Sequence, residues 1–113
     1  MQVIIDPLPR ETADQRTEPV ALSAITLLEI AILASEGKLK LNASLDELFD
    51  DLQGNPFFQV LPLTYEIASE VGSLDALRDP ADRTIVATAR VHRLQLMTSD
   101  QRIIDSGLVR VVD

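Results

Sequence analysis

Three carboxylates occupy positions where a chain least easily accommodates charge. Glu29 is the only charged side chain in Leu27-Leu28-Glu29-Ile30-Ala31-Ile32-Leu33-Ala34. Asp82 opens a second largely apolar stretch, and Asp100 ends the run Leu94-Gln95-Leu96-Met97-Thr98-Ser99. An unpaired buried carboxylate is costly, so such groups are paired, hydrogen-bonded or bound to metal. A shared hard divalent cation such as Mg²⁺, which takes oxygen ligands, would serve all three at once. Such an ion can lower the pKa of bound water and stabilise charge on a phosphoryl oxygen.

Each acid also has a structural account. Thr26 and Glu29 are spaced as a capping box, although Ile25, Ile32 and Leu33 would surround Glu29 on the helix surface. Asp82 suits the positive end of a helix dipole, but Asp79 is placed to cap that helix alone. Asp100 has the spacing of an N-cap for the short helix after it. His92, between Arg90 and Arg93, reads as part of a solvated helix face. No nucleophile elbow, phosphate-cradling glycine loop or dinucleotide fingerprint is present.

The elements that must position these acids alternate between short β-like runs and helices. Pro19 to Leu22 reads as a buried strand, followed by a helix that stops at Gly37. Ser44 and Glu47 frame a second helix, with Leu45, Leu48, Phe49 and Leu52 on one face and Gly54 at its end. Phe57 to Leu63 is a strand candidate, and Thr64 caps a helix whose inner face is Ile67, Ala68, Val71 and Leu74. Asp79-Pro80 opens a helix running to about Leu94. Gln95 to Thr98 is then a strand, Asp100 to Ser106 a short helix closed by Gly107, and Leu108 to Val112 a last strand. Strands separated by helices imply a parallel sheet with helices on its faces. Sites in such sheets form at the carboxyl ends of the strands.

Composition narrows the classes. With 113 residues, 46% hydrophobic and 25% charged, the chain reads as one globular domain over 1–113. There is no cysteine, which removes disulfides and thiolate metal sites. No apolar run approaches the roughly 20 residues of a membrane span, and no signal peptide is recognisable. A soluble, cytoplasmic protein with no membrane partner is the expectation. The net charge of −8, from ten Lys and Arg against eighteen Asp and Glu, gives no general basic patch for nucleic acid. It fits an acidic surface, acids whose bound cations reverse the local sign, or a basic protein partner.

Three segments resemble the PIN-domain ribonucleases, specifically VapC-type toxins of toxin–antitoxin modules. They are LSAITLLEIAILASEGKLKL, VLPLTYEIA with LRDPADRTIVATA after it, and LQLMTSDQRI. The resemblance runs through residues 20–113 in order. It implies a three-layer α/β/α sandwich around a central, mostly parallel sheet. It also implies Mg²⁺ or Mn²⁺ as cofactor, endoribonuclease activity and neutralisation by a cognate antitoxin. By position, Glu29, Asp82 and Asp100 match the family's acids, with Asp79 auxiliary. Arg83 and Arg78 become candidates for RNA phosphate contact, although Arg83 equally suits a structural pairing. A homodimer is a further expectation.

Residues 1–19 depart from the family pattern. Val3-Ile4-Ile5-Asp6 mimics the usual first strand and its acid, but only Pro7 to Pro19 then separates it from the next strand. A parallel crossover needs about a dozen residues, usually a helix, and prolines bracket this stretch. Either Asp6 is a surrogate ligand on a shortened connection, or the chain starts late and lacks the first strand, first acid and first helix. The second reading is the leading expectation. It carries an alternative function: a catalytically weak or inactive module that binds an antitoxin or dimerises. A phosphoacceptor receiver-like domain also clusters acids on an α/β sheet. Lys38 and Lys40, the only lysines, are not placed to serve one.

Overall fold

A computed structural model describes residues 3–6 as backbone and residues 20–39 and 44–112 in full. The chain order is β1 (Val3–Asp6), β2 (Val20–Ser23), α1 (Ala24–Ser35), α2 (Leu45–Gly54), β3 (Phe58–Leu61), α3 (Tyr65–Val71), α4 (Pro80–His92), β4 (Gln95–Thr98) and α5 (Gln101–Ser106). The four strands form one parallel sheet in the order β3-β2-β1-β4.

Side-chain alternation along the strands separates two cores. Val20, Leu22 and Met97 pack with Leu52 and with Leu48 and Phe49 of α2. Ala21, Leu61 and Leu96 face the other way, onto Ile67 of α3, Ile85, Val86 and Ala89 of α4, and Ile103 of α5. Helices therefore cover both faces, and the expected α/β/α sandwich is the fold. Both strand faces are buried, which explains why Val20-Ala21-Leu22 reads as a continuous apolar run.

Local chemistry sets the helix limits. Asp79 caps α4 by accepting from the Ala81 N–H at 2.8 Å, and Pro80 takes the first helical position. Ser44 accepts from Glu47 N–H at the start of α2, and Thr64 accepts from Ile67 N–H at the start of α3. Gly37, at φ 70°, ends the turn after α1.

Several expectations need correction. The reading in which the first strand is missing does not hold: Val3–Asp6 is a strand, and it lies in the middle of the sheet. β1 pairs with β4 from Val3 opposite Gln95 to Asp6 opposite Thr98, and Ile4 pairs with Ala21 of β2. The Pro7–Pro19 connection lies outside the described residues. Leu108 to Val112 is not a full strand; one bridge joins Val111 to Leu96 on the outer edge of β4. The third strand stops at Leu61, before Pro62 removes a donor N–H. Ala68 is exposed, so the inner face of α3 is narrower than its periodicity suggests.

Burial predicts unequal sensitivity to truncation. Leu22 is fully buried between sheet and helix, whereas Leu28 is 53% exposed on α1. Leu22→Ala should cost about 2–5 kcal/mol and Leu28→Ala less than about 0.5 kcal/mol, measured by urea unfolding.

Candidate functional site

The carboxyl ends of three strands meet at one edge of the sheet. β2 ends at Ser23, whose hydroxyl caps α1 by accepting from Ile25 N–H at 3.2 Å. β4 ends at Thr98, and Asp100 then caps α5 by accepting from Arg102 N–H at 2.9 Å. The Thr98 hydroxyl accepts from the Asp100 N–H at 3.1 Å and fixes the turn between them. β1 ends at Asp6, opposite Thr98. The Asp6 side chain lies outside the described residues.

Beyond this edge is an open depression of about 410 Å³. Glu29 comes to it from the second turn of α1, Asp82 from the first turn of α4, and Asp100 from the turn after β4. Thr26 and Ser99 add hydroxyls, Ile30 and Leu33 an apolar wall, and Arg102 a guanidinium. A smaller adjoining cavity of about 200 Å³ shares Asp82 and Arg102 and is also lined by Arg78 and Asp79. The three acids singled out in the sequence thus line one depression, with the auxiliary Asp79 beside it.

The acids repel one another. Burial raises the Glu29 pKa, and the charges of Asp79 and Asp82 raise it further. Burial also raises the Asp82 pKa, helped by Asp79 and Asp100 and opposed by Arg102. Asp100 is the exception: hydrogen bonding to the Arg102 side chain holds its pKa below the usual value. Arg102 Nη2 lies 3.2 Å from Asp100 Oδ2 and 3.7 Å from Asp82 Oδ2. One arginine therefore bridges two of the three acids.

Thr26 gives an independent sign of unmet coordination. It is 2% exposed, and its Oγ1 is the buried side-chain polar atom without a hydrogen-bond partner among the described residues. Buried hydroxyls normally have a partner. Carboxylate and hydroxyl oxygens are the donors a hard divalent cation takes, so the chemistry of the set fits Mg²⁺ or Mn²⁺. The geometry is open: among the described residues, no three acidic or histidine side chains already form a cation cage.

The expected capping box of Thr26 and Glu29 is corrected. Ser23 caps α1, because the helix starts at Ala24, and Glu29 is therefore a second-turn residue free of that duty. The Arg83 Nε donates to the Leu77 carbonyl, so this arginine braces the loop before α4. Arg78 is exposed at the rim of the smaller cavity. Sequence reading missed Arg102. Its signal was available, since a residue two places beyond an N-cap aspartate can reach back to it.

The PIN domain model matches residues 5–107, and the chain belongs to the PIN-domain family. The matched span includes Asp6. Solved structures share the fold at low identity. A chain in the crystal structure of FitAcB from Neisseria gonorrhoeae is 22% identical, with a TM-score of 0.69 over 99% of this chain and 97% of that one. A toxin–antitoxin complex from Klebsiella pneumoniae gives 19% and 0.69 over 100% and 97%. FitAB bound to the IR36 DNA fragment gives 23% and 0.65 over 98% and 94%. No curated protein matches the chain.

The raised acids set a pH dependence for the metal-free protein. A carboxyl whose folded pKa exceeds its unfolded value destabilises the fold when ionised, so stability rises as pH falls through the folded value. Acidification from neutral toward the usual carboxylate range should raise the urea midpoint, and Glu29→Gln should raise it at neutral pH and weaken the dependence. Asp100 acts oppositely, its contribution being lost only as pH falls through its lowered pKa, below 3.8. Thr26→Val, which removes the unpaired hydroxyl, should stabilise the metal-free protein by about 1 kcal/mol.

Proposed function

We propose that this protein is a divalent-metal-dependent endoribonuclease, a VapC-type toxin of a type II toxin–antitoxin module. The observation that carries this reading is the convergence of Glu29, Asp82 and Asp100, from three separate elements, on one depression at the carboxyl edge of the sheet. Their pKa shifts support it: Glu29 and Asp82 are held above the ordinary range by burial and like charge. A cation would relieve both.

Glu29, Asp82 and Asp100 would hold Mg²⁺ or Mn²⁺, with Asp79 and Asp6 as further acids at the same edge. When bound there, such an ion would supply Lewis-acid activation of water and charge stabilisation at a phosphoryl oxygen. The chain's own contribution is to orient the acids through the α1, α4 and α5 caps and to keep Ile30 and Leu33 against the depression. Arg78, exposed at the rim, is the better placed of the two proposed phosphate contacts, because Arg83 already serves the Leu77 carbonyl.

A cognate antitoxin and a second copy of the chain are the proposed protein partners. Leu28, Ile32 and Leu33 are 53%, 46% and 40% exposed on α1, next to the acidic depression. The structural resemblance to a chain in a toxin–antitoxin complex supports a partner of that kind. A cytoplasmic location is part of the same proposal; no helix among the described residues is long and apolar enough to cross a membrane.

A second reading has its own support. Arg102 bridges Asp82 and Asp100 and offsets part of the charge that would attract a cation. This favours a weak or inactive module that retains antitoxin binding or dimerisation. RNA cleavage in Mg²⁺ or Mn²⁺ separates the two. The ribonuclease reading expects Glu29→Ala, Asp82→Ala and Asp100→Ala each to lower the rate at least ten-fold while the fold, checked by circular dichroism, is retained. Equal cleavage by wild type and all three variants would remove the assignment. Calorimetry that detects antitoxin but no divalent ion would establish the second reading.

A further inference from the structure

A second cavity lies at the opposite end of β4 from the acidic depression. It encloses about 420 Å³ and shares no lining residue with that depression. Three arginines, Arg90, Arg93 and Arg110, surround it, with Leu94, Gln95 and Val109 among its other walls. Three of the chain's ten basic residues therefore gather at one site on a protein of net charge −8.

The arginines are not equivalent. Arg90 is committed to the wall: its Nε donates to Glu70 Oε1 at 2.6 Å and its Nη1 to the Leu108 carbonyl at 2.6 Å. Arg93 and Arg110 have no acidic partner among the described residues. Arg93 also pays for its position in backbone conformation. It ends α4 at φ 56° and ψ 44°, a left-handed geometry that the chain elsewhere gives to Gly37 and Gly107. A β-carbon is unfavourable there, so the backbone would be better served by glycine. Strained residues of this kind gather at ligand clamps and other functional sites.

The walls define the ligand. A guanidinium fork takes carboxylate or phosphate. Single-stranded nucleic acid is usually held on aromatic stacking platforms, and no aromatic side chain lines this cavity. Leu94 and Val109 instead offer aliphatic contact beside the charges. We propose that this cavity is a docking site for an acidic, aliphatic peptide segment of a partner protein. Arg93 and Arg110 take its carboxylates, and Leu94 and Val109 take its aliphatic side chains. The site is independent of the nuclease reading.

The test follows arginine Nε–Hε and Leu94 and Val109 methyl signals by NMR in the full chain. The main probe is a blocked eight-residue peptide alternating Leu or Ile with Glu or Asp. Matched probes are its Gln and Asn counterpart, inorganic phosphate and an eight-nucleotide RNA. The acidic peptide should shift the Arg93, Arg110, Leu94 and Val109 signals, and its affinity should fall as salt is raised. Arg93→Gly and Arg110→Ala should each weaken it at least five-fold. Arg93→Gly should at the same time keep or raise the thermal midpoint, whereas a purely structural arginine would lower it. Four outcomes overturn the proposal: no shift with the acidic peptide, equal binding of the uncharged peptide, binding that survives both substitutions, or RNA or phosphate bound as tightly as the peptide.

Discussion

Like-charge crowding at the carboxyl edge of the sheet is the constraint that governs this molecule. A parallel sheet directs every strand toward the same edge, so whatever follows each strand is gathered there. In this chain Asp100 arrives there directly after β4, and helices α1 and α4 bring Glu29 and Asp82 to the same edge. Their mutual repulsion and partial burial oppose folding, and the apolar cores on the two sheet faces must outweigh both. The acids are held in place by caps: Ser23 for α1, Asp79 for α4 and Asp100 for α5. Capping fixes the backbone while leaving Glu29 and Asp82 without hydrogen-bonded partners among the described residues.

Arg102 tempers the crowding without abolishing it. Its side chain is 74% exposed, against 14% for Asp82 and 24% for Asp100, so the guanidinium reaches inward from solvent across the two carboxylates. An exposed arginine of this kind is screened and easily displaced. Arg102 makes no ion pair with Glu29, whose pKa is raised by burial and by Asp79 and Asp82 with no opposing charge. The site is thus unevenly neutralised, with Asp100 stabilised as an anion while Glu29 and Asp82 are not.

Much of this was legible in the sequence because it rests on local chemistry. The Asp79-Pro80 cap, the Gln95–Thr98 strand and the Gly107 stop follow from short-range rules, and the structure places each as read. The acids were recognisable because charge in an apolar run is costly wherever it occurs. What escaped the sequence depends on distant partners. Thr26 and Glu29 have the spacing of a capping box, but helix α1 begins earlier, at a serine that also ends a strand. The first strand was discounted because the connection after it is short and proline-rich. Its place in the sheet comes from pairing with residues more than ninety positions away, which no local pattern reveals. Arg102 divides the two cases: its reach back to Asp100 was legible locally, whereas its approach to Asp82 exists only after folding.

That long-range pairing orders events during synthesis. β1 leaves the ribosome long before β4, the neighbour with which it pairs residue for residue. Non-local strand pairing must meet its loop-closure entropy before any contact rewards it. The nascent chain therefore has no complete sheet, and Asp100 cannot join Glu29 and Asp82, until synthesis has passed β4. Whatever chemistry the acidic edge performs is withheld by topology alone from every copy still short of β4.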